Sequence, residues 1–307
     1  MARRRRLRGR DISGLLLLDK PKGVSSNEAL QQVKRIYNAQ KAGHTGSLDP
    51  LASGLLPICF GESTKFSNYI LTADKTYSAV CQLGATTTTG DEEGEIVSRF
   101  DVPPLNEESV TRVLESFLGE SEQVPPMYSA LKQNGQPLYK LARQGIEVER
   151  EARQIWIDSI SLNSISENQI DFNVSCSKGT YIRTLAEDIG TKLGCGAYVT
   201  ELRRIDLGVF TIEQSVSLEK LNQLRDEKAF VALDDYLLPV EEALIDWPKI
   251  TLTNDSAFYV KQGQAVQVSK APVEGNVTLF AETGDFIGIG SIQDDGKVKP
   301  DRLLKTG

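Results

Sequence analysis

Strand-like and helix-like segments follow one another here without a regular β-α-β alternation, and this irregular mixture most narrows the possible folds. From Lys75 to Leu83 the residues alternate, with Tyr77, Ala79, Cys81 and Leu83 on one face and Thr76, Ser78, Val80 and Gln82 on the other. A second alternation, Ile170, Phe172, Val174 and Cys176, leads through a Lys178-Gly179 turn into a segment of helical period, Tyr181, Ile182, Leu185, Ile189 and Leu193, closed by Gly194. "GLLLLDKPKGVSS" reads as a buried strand broken at Pro21, with Ser25 and Glu28 spaced as a capping box for a helix that faces inward through Ala29, Leu30, Val33, Ile36 and Tyr37. "FGESTKFSNYIL" reads as another short helix, "ELRRIDLGVFTI" as a returning strand, and "LNEESVTRVLESFLG" as a helix from Asn106 to a stop at Gly119. The mixture predicts an α+β core.

Texture changes twice along the chain. Val124 to Arg150 is irregular, rich in aromatic and basic residues, and reads as an excursion from the main sheet, with a short helix closed by Gly145. Ser217 to Pro248 reads as a connector, and beyond Lys249 short β-prone pieces separated by glycines predict a small all-β module of roughly 55 residues. With 307 residues, 40% of them hydrophobic and 25% charged, a packed core is expected. The longest N-terminal apolar run, Leu15 to Leu18, is far too short for a signal peptide or membrane span.

Charge is unevenly placed. The net charge is −7, but the first ten residues hold six arginines and no acid, leaving 29 basic against 42 acidic groups in the remainder. This arm, residues 1–10, reads either as a solubilising tail or as a phosphate-contacting segment. Cys59, Cys81, Cys176 and Cys195 are scattered, with no metal-ligand spacing, and read as reduced core thiols of a cytoplasmic protein. With a single histidine, a zinc or iron site is not expected.

That histidine, His44, stands in "KAGHTGSLDPLASGLLP". Neither a P-loop nor a dinucleotide fingerprint occurs, and His44, Ser47 and Asp49 are too close in sequence to converge as a hydrolase triad. Asp49-Pro50 has the form of a helix start, which leaves Asp49 either a cap or, as an ionised carboxylate, a nucleophile or general base.

The segments "LLLDKPKGVSSNEAL", "KAGHTGSLDPLASGLLPICFGESTKF", "DKTYSAVCQLG", "VPPMYSALKQNGQPLYKLARQGIEV" and "CSKGTYIRTLAEDIGTKLGCGAYVTELRR", in this order from about Asp11 to Leu304, resemble the TruB family of bacterial tRNA pseudouridine synthases. The resemblance implies isomerisation of uridine to pseudouridine at position 55, in the T-loop of tRNA, without cofactor or metal. It makes Asp49 the catalytic nucleophile, Arg183 the cation that keeps it charged, and Tyr77 a base-packing residue with a possible part in proton transfer. Tyr181 and Leu202 become contacts to the substrate base, and Lys20 a support of the site. His44 becomes a planar group that stacks into the RNA as the target base leaves, with Gly43 and Gly46 permitting close approach. The implied architecture is a mixed, largely antiparallel sheet flanked by helices in a catalytic domain over residues 11–250, an RNA-gripping insertion at about 124–150, and a PUA-like RNA-binding domain over 251–307. The implied partner is the T-arm of tRNA, bound by a monomer with no obligate protein partner and with the arginine arm on tRNA phosphate. A synthase acting on another RNA and an RNA-folding protein without catalysis are the rival readings.

Overall fold

The computed structural model describes residues 9–305; residues 1–8, most of the arginine arm, lie outside them. The chain runs through β1 (Gly14–Lys20), α1 (Ser26–Ile36), β2 (Ala42–His44) and β3 (Ser53–Phe60). A 3-10 turn over Gly61–Phe66 leads into α2 (Ser67–Leu71), β4 (Lys75–Leu83), the pair β5 (Ala85–Thr87) and β6 (Ile96–Arg99), α3 (Glu107–Glu115) and β7 (Gly119–Gln123). A small hairpin, β8 (Lys132–Gln133) and β9 (Gln136–Pro137), and α4 (Leu138–Ala142) precede β10 (Arg153–Ser166), β11 (Gln169–Cys176), α5 (Ile182–Leu193) and β12 (Ala197–Leu207). Then follow β13 (Phe210–Thr211), β14 (Val216–Ser217), α6 (Leu218–Asp226) and α7 (Phe230–Asp234). The C-terminal part holds β15 (Lys249–Leu252), α8 (Asn254–Lys261), β16 (Val266–Gln267), β17 (Asn276–Ala281), β18 (Phe286–Ile292) and β19 (Lys297–Leu303).

The main sheet is ordered β14-β1-β3-β12-β4-β11-β10-β7, with β13 on β12 and β2 on β3. Only β1 with β14 and β3 with β12 pair in parallel, so the sheet is mixed and largely antiparallel. One face carries Leu16, Leu18, Tyr77, Ala79, Phe172 and Val174 against α1, α3, α5 and α6. The other carries Leu15, Leu17, Leu55 and Cys59 against Phe66 and Ile70. Strand β1 is therefore covered on both sides, which is why it reads as an unbroken leucine run while β4 alternates. The Ser25/Glu28 capping box forms as its spacing predicts, and Gly194 closes α5 in the left-handed conformation, φ +80°.

Several expectations need correction. The helix from Asn106 ends at Glu115, and Gly119 opens β7 at the sheet edge instead of stopping the helix. Ser217 to Pro248 is more than a connector: Leu221 and Leu233 are buried in the main core, and Leu238 exchanges backbone hydrogen bonds with Leu15. The C-terminal part, expected as a small all-β module, is a five-stranded sheet of order β15-β17-β18-β19-β16, but α8 lies across it and buries Ala257 and Val260, so the module is β-rich and not all-β. The excursion leaves the sheet at β7 and returns at β10, which pair with each other. Arg10, the described end of the arm, is held by Asp234 and lies over the Phe230 ring.

Candidate active site

A cleft of about 660 Å³ opens on the α5 face of the main sheet, where the loop between β2 and β3, the strands β4 and β12, and the start of α5 converge. Asp49 reaches it from that loop. Three contacts hold the loop: Ser26 Oγ donates to Leu48 O at 2.8 Å, Leu48 N donates to Ser26 Oγ at 2.7 Å, and Gly23 N donates to Pro50 O at 2.7 Å. No helix begins at Asp49-Pro50. Only Leu51 and Ala52 separate Pro50 from β3, so the chain makes a tight turn, with Ala52 N donating to Asp49 O at 3.1 Å. The carboxylate thus caps no helix, and its charge must be stabilised by another group.

That group is Arg183, in the first turn of α5. Its side chain is buried, and Nη2 lies 2.9 Å from Asp49 Oδ2. Nη2 also donates to Tyr128 O at 2.7 Å and Nη1 to Thr89 O at 2.8 Å, while Asp91 Oδ2 stands 3.5 Å from Nη1. Asp91 is itself buried and fixed by Thr89 Oγ1 and by Glu93 N. Arg183 therefore bridges two carboxylates, with Asp49 the one facing the cleft, its side chain 42% exposed. The surrounding walls push the Asp49 carboxyl above the usual carboxylate range, and the Arg183 guanidinium is the largest influence holding it down.

Tyr77 and Leu202, on neighbouring strands β4 and β12, line the cleft beside Asp49 with their side chains almost wholly buried. Burial pushes the Tyr77 phenol up, and the adjacent Arg204 opposes it. Tyr181 lines the cleft immediately before α5, its backbone clamped by the Gln123 amide, which accepts from Tyr181 N at 2.8 Å and donates to Tyr181 O at 3.1 Å. Asp49, Tyr77, Tyr181, Arg183 and Leu202 are thus brought together. Lys20 and His44 are not cleft-lining residues. Lys20 is fully buried behind the loop, donating to Pro21 O and Val24 O; burial lowers its ammonium to about 8 while Asp49 pulls it back up. His44 ends β2 opposite Ile58, on the same loop as Asp49, with burial and Arg204 pushing its imidazole down and Nδ1 without a hydrogen-bond partner among the described residues. Gly46 takes φ +84° between them, a conformation that favours glycine.

Sequence reasoning passed over Asp91, Lys75 and Arg204. The last two carried a usable signal, since Lys75 shares the alternation of Tyr77, and Arg204 that of Leu202. Asp91 had none, because its role depends on a loop folding back onto α5.

Among the described residues no helix is long and apolar enough to cross a membrane, and no cluster of three His, Cys, Asp or Glu is placed to hold a metal ion. Residues 34–182 match the family model of the TruB family pseudouridylate synthase N-terminal domain. Residues 183–245 match that of the tRNA pseudouridylate synthase B C-terminal domain, and 248–304 that of the pseudouridine synthase II TruB C-terminal region. The chain is 55% identical over 304 residues to tRNA pseudouridine synthase B of Nitrosococcus oceani, covering 99% of this chain and 98% of that protein. It is 52% identical over 306 residues to the protein of that name from Pseudomonas aeruginosa, covering 100% of each. Among solved structures it superposes on a chain of a Cbf5-Nop10-Gar1 complex with TM-score 0.73 and 27% identity, covering 95% of this chain and 84% of the other. With these matches spanning nearly its full length, the chain belongs to the TruB family of pseudouridylate synthases, enzymes that isomerise uridine to pseudouridine in tRNA.

Proposed function

We propose that this enzyme acts on the uridine at position 55, in the T-loop of tRNA, and that Asp49 is the nucleophile of the isomerisation. The observation that carries the reading is the Asp49–Arg183 pair at 2.9 Å, set in a cleft that Tyr77 and Leu202 also line. The buried Arg183 guanidinium aims Asp49 and opposes the rise that burial and Asp91 impose on its carboxyl, while Asp91 helps fix Arg183 in place. The target uridine leaves the loop stack to reach the cleft, because its glycosidic bond is inaccessible while stacked. Tyr77, Leu202 and Tyr181 then hold the base while its bond to the ribose breaks and the ring turns to present C5. Lys20 supports the Asp49 loop from behind. His44, neutral near pH 7 because burial lowers its pKa, fills the space the base vacates.

The outer parts complete the grip. The basic residues Lys132, Lys140 and Arg143 of the excursion are assigned to the RNA backbone, as is the arginine arm, with the C-terminal PUA-like domain extending the contact. The catalytic domain is taken as 11–250 and the C-terminal domain as 251–307. The enzyme acts as a monomer in the cytoplasm, without cofactor.

A T-arm stem-loop RNA carrying tritium at C5 of its uridines tests this reading. Wild-type protein is expected to release tritium at the T-loop site, and Asp49→Asn to lose roughly 10⁴-fold in rate while still binding the RNA. Equal release by both proteins would remove Asp49 from the chemistry, and binding without release by either would leave only an RNA-folding role.

A further inference from the structure

The cleft that holds the Asp49–Arg183 pair is also lined by two buried cations, Arg204 and Lys75. Arg204 is 1% exposed and Lys75 7% exposed, and among the described residues no carboxylate is in ion-pair contact with either. A buried charge without a partner is costly and is rarely kept for stability alone. Both are fixed by neutral groups only. Arg204 Nε donates to Leu55 O at 2.7 Å and Nη2 to Gly46 O at 3.2 Å; Lys75 Nζ donates to Leu71 O at 2.9 Å and to Ala73 O. They meet beneath Gly46, where a Cβ would lie 3.5 Å from Arg204 Nη1 and 3.9 Å from Lys75 Cε.

Their placement relative to Tyr77 and Leu202 is set by strand register. Arg204 is the cross-strand partner of Tyr77, Lys75 precedes Tyr77 by two residues on β4, and Leu202 precedes Arg204 by two on β12. All four side chains therefore share one face of the sheet, apolar at the Leu202 end and cationic at the Lys75 and Arg204 end.

We infer that Arg204 and Lys75 form an anion site for the carbonyl edge of the detached uracil, making them further catalytic residues of this reaction. The inference rests on the reading of the cleft as a uridine site. As an Asp49 oxygen bonds to C1′ with its own electron pair, the C1′–N1 bond breaks, and that bond's pair passes to the uracil ring, where N1, O2 and O4 share it. C5 then bonds to C1′ as the Asp49 oxygen departs with its own pair, and the proton lost from C5 is balanced by the one N1 gains. No oxidant or reductant enters. The charge on the free uracil exists only between the two bonds, so cations held ready for it lower the barrier more than they tighten binding. Depth favours the base over a phosphate as the ligand. A flipped nucleotide carries its base to the bottom of the cleft and leaves its phosphates at the mouth, where exposed Arg153 and Lys178 stand.

The experiment measures single-turnover rates and RNA dissociation constants for wild type, Arg204→Met, Arg204→Lys and Lys75→Met. The substrates are T-arm RNAs with either uridine or 5-fluorouridine at the target, and the rate is read by chromatography of nuclease digests as disappearance of the N-linked nucleoside, because C5 of 5-fluorouridine has no proton to lose and its C-linked product keeps the fluorine. Fluorine makes the departing ring a weaker base, which needs less help. Arg204→Met is expected to lose roughly 10²- to 10³-fold in rate on uridine, less than threefold in affinity, and about tenfold less of that rate on 5-fluorouridine, with Arg204→Lys intermediate. Lys75→Met gives the same pattern more weakly and decides the matter if Arg204→Met does not fold. A rate loss equal for both substrates overturns the inference in favour of a positioning role, and a loss confined to affinity overturns it in favour of a phosphate ligand. A wild-type protein that forms no pseudouridine overturns instead the reading on which the inference stands.

Discussion

At the residue scale, the carboxyl of Asp49 is set by two opposed influences, the cleft walls that raise its pKa and Arg183 that lowers it. The nucleophile works only when charged, so the rate falls as pH drops through this raised pKa. Removing the opposing cation lets the pKa rise further. Arg183→Gln is therefore expected to move the acid limb of the single-turnover rate to higher pH, and Arg183→Lys to bring it part of the way back, measured between about pH 5 and 8. An unchanged limb would separate Arg183 from Asp49 ionisation. For His44 a stacking role predicts the opposite insensitivity: His44→Phe should retain most of the rate and His44→Ala lose about 1–3 kcal/mol of base-stacking energy, read as the difference in rate between the two variants. Loss of activity in both would point to imidazole acid-base work.

At the element scale, legibility followed burial pattern. Strand β4 and helix α5 were readable because one face of each is buried and the other partly solvated, so periodicity survives in the sequence. The Asp49-Pro50 pair misled because its local chemistry suits a helix start equally well as a tight turn, and only the nearness of β3 decides. Helix α8 was hidden because just Ala257 and Val260 of its eight residues are buried, too few to show a helical stripe among β-prone neighbours. The site residues came from a resemblance of motifs; Asp91 did not, since it acts through a contact across the fold, whereas Arg204 and Lys75 were within reach of the alternation they share with Leu202 and Tyr77. One such contact positions Arg183: α5 packs so closely on β12 that a Cβ at Gly190 would lie 2.2 Å from Ala197 N and 2.3 Å from Gly196 C. Backbone cannot yield as a side chain would. Gly190→Ala is expected to lower stability by about 1–3 kcal/mol in urea unfolding, and to slow catalysis in the protein that remains folded because α5 carries Arg183 away from Asp49. Wild-type stability in this variant would show that α5 can shift freely on the sheet.

At the scale of the whole molecule, the C-terminal sheet shares the core on the back of the main sheet. Ile289 joins the cluster of Leu15, Leu17 and Phe66; the rings of Phe66 and Phe286 lie 5.6 Å apart; Lys65 Nζ donates to Leu303 O at 2.8 Å; and Lys305 N donates to Glu62 Oε2 at 3.0 Å. The joint thus falls on the back of the sheet and leaves the cleft uncovered. An apolar joint of this kind couples the unfolding of the two parts, because separating them exposes Phe66, Phe286 and Ile289 to water. Full-length protein is expected to melt in one calorimetric transition. Phe286→Ala removes the ring at the centre of the joint, at a cost of about 2 kcal/mol for a partly buried phenylalanine, and should split that transition in two while leaving single-turnover catalysis on a minimal T-arm within a few fold of wild type. Because Asp49, Tyr77 and Arg183 are held by the main sheet, α1, α5 and the loops at Thr89 and Tyr128, a large catalytic loss in Phe286→Ala would mean that the C-terminal domain reaches the cleft through α2, which sets Ile70 in the joint and Leu71 at the cleft, where Lys75 Nζ donates to Leu71 O.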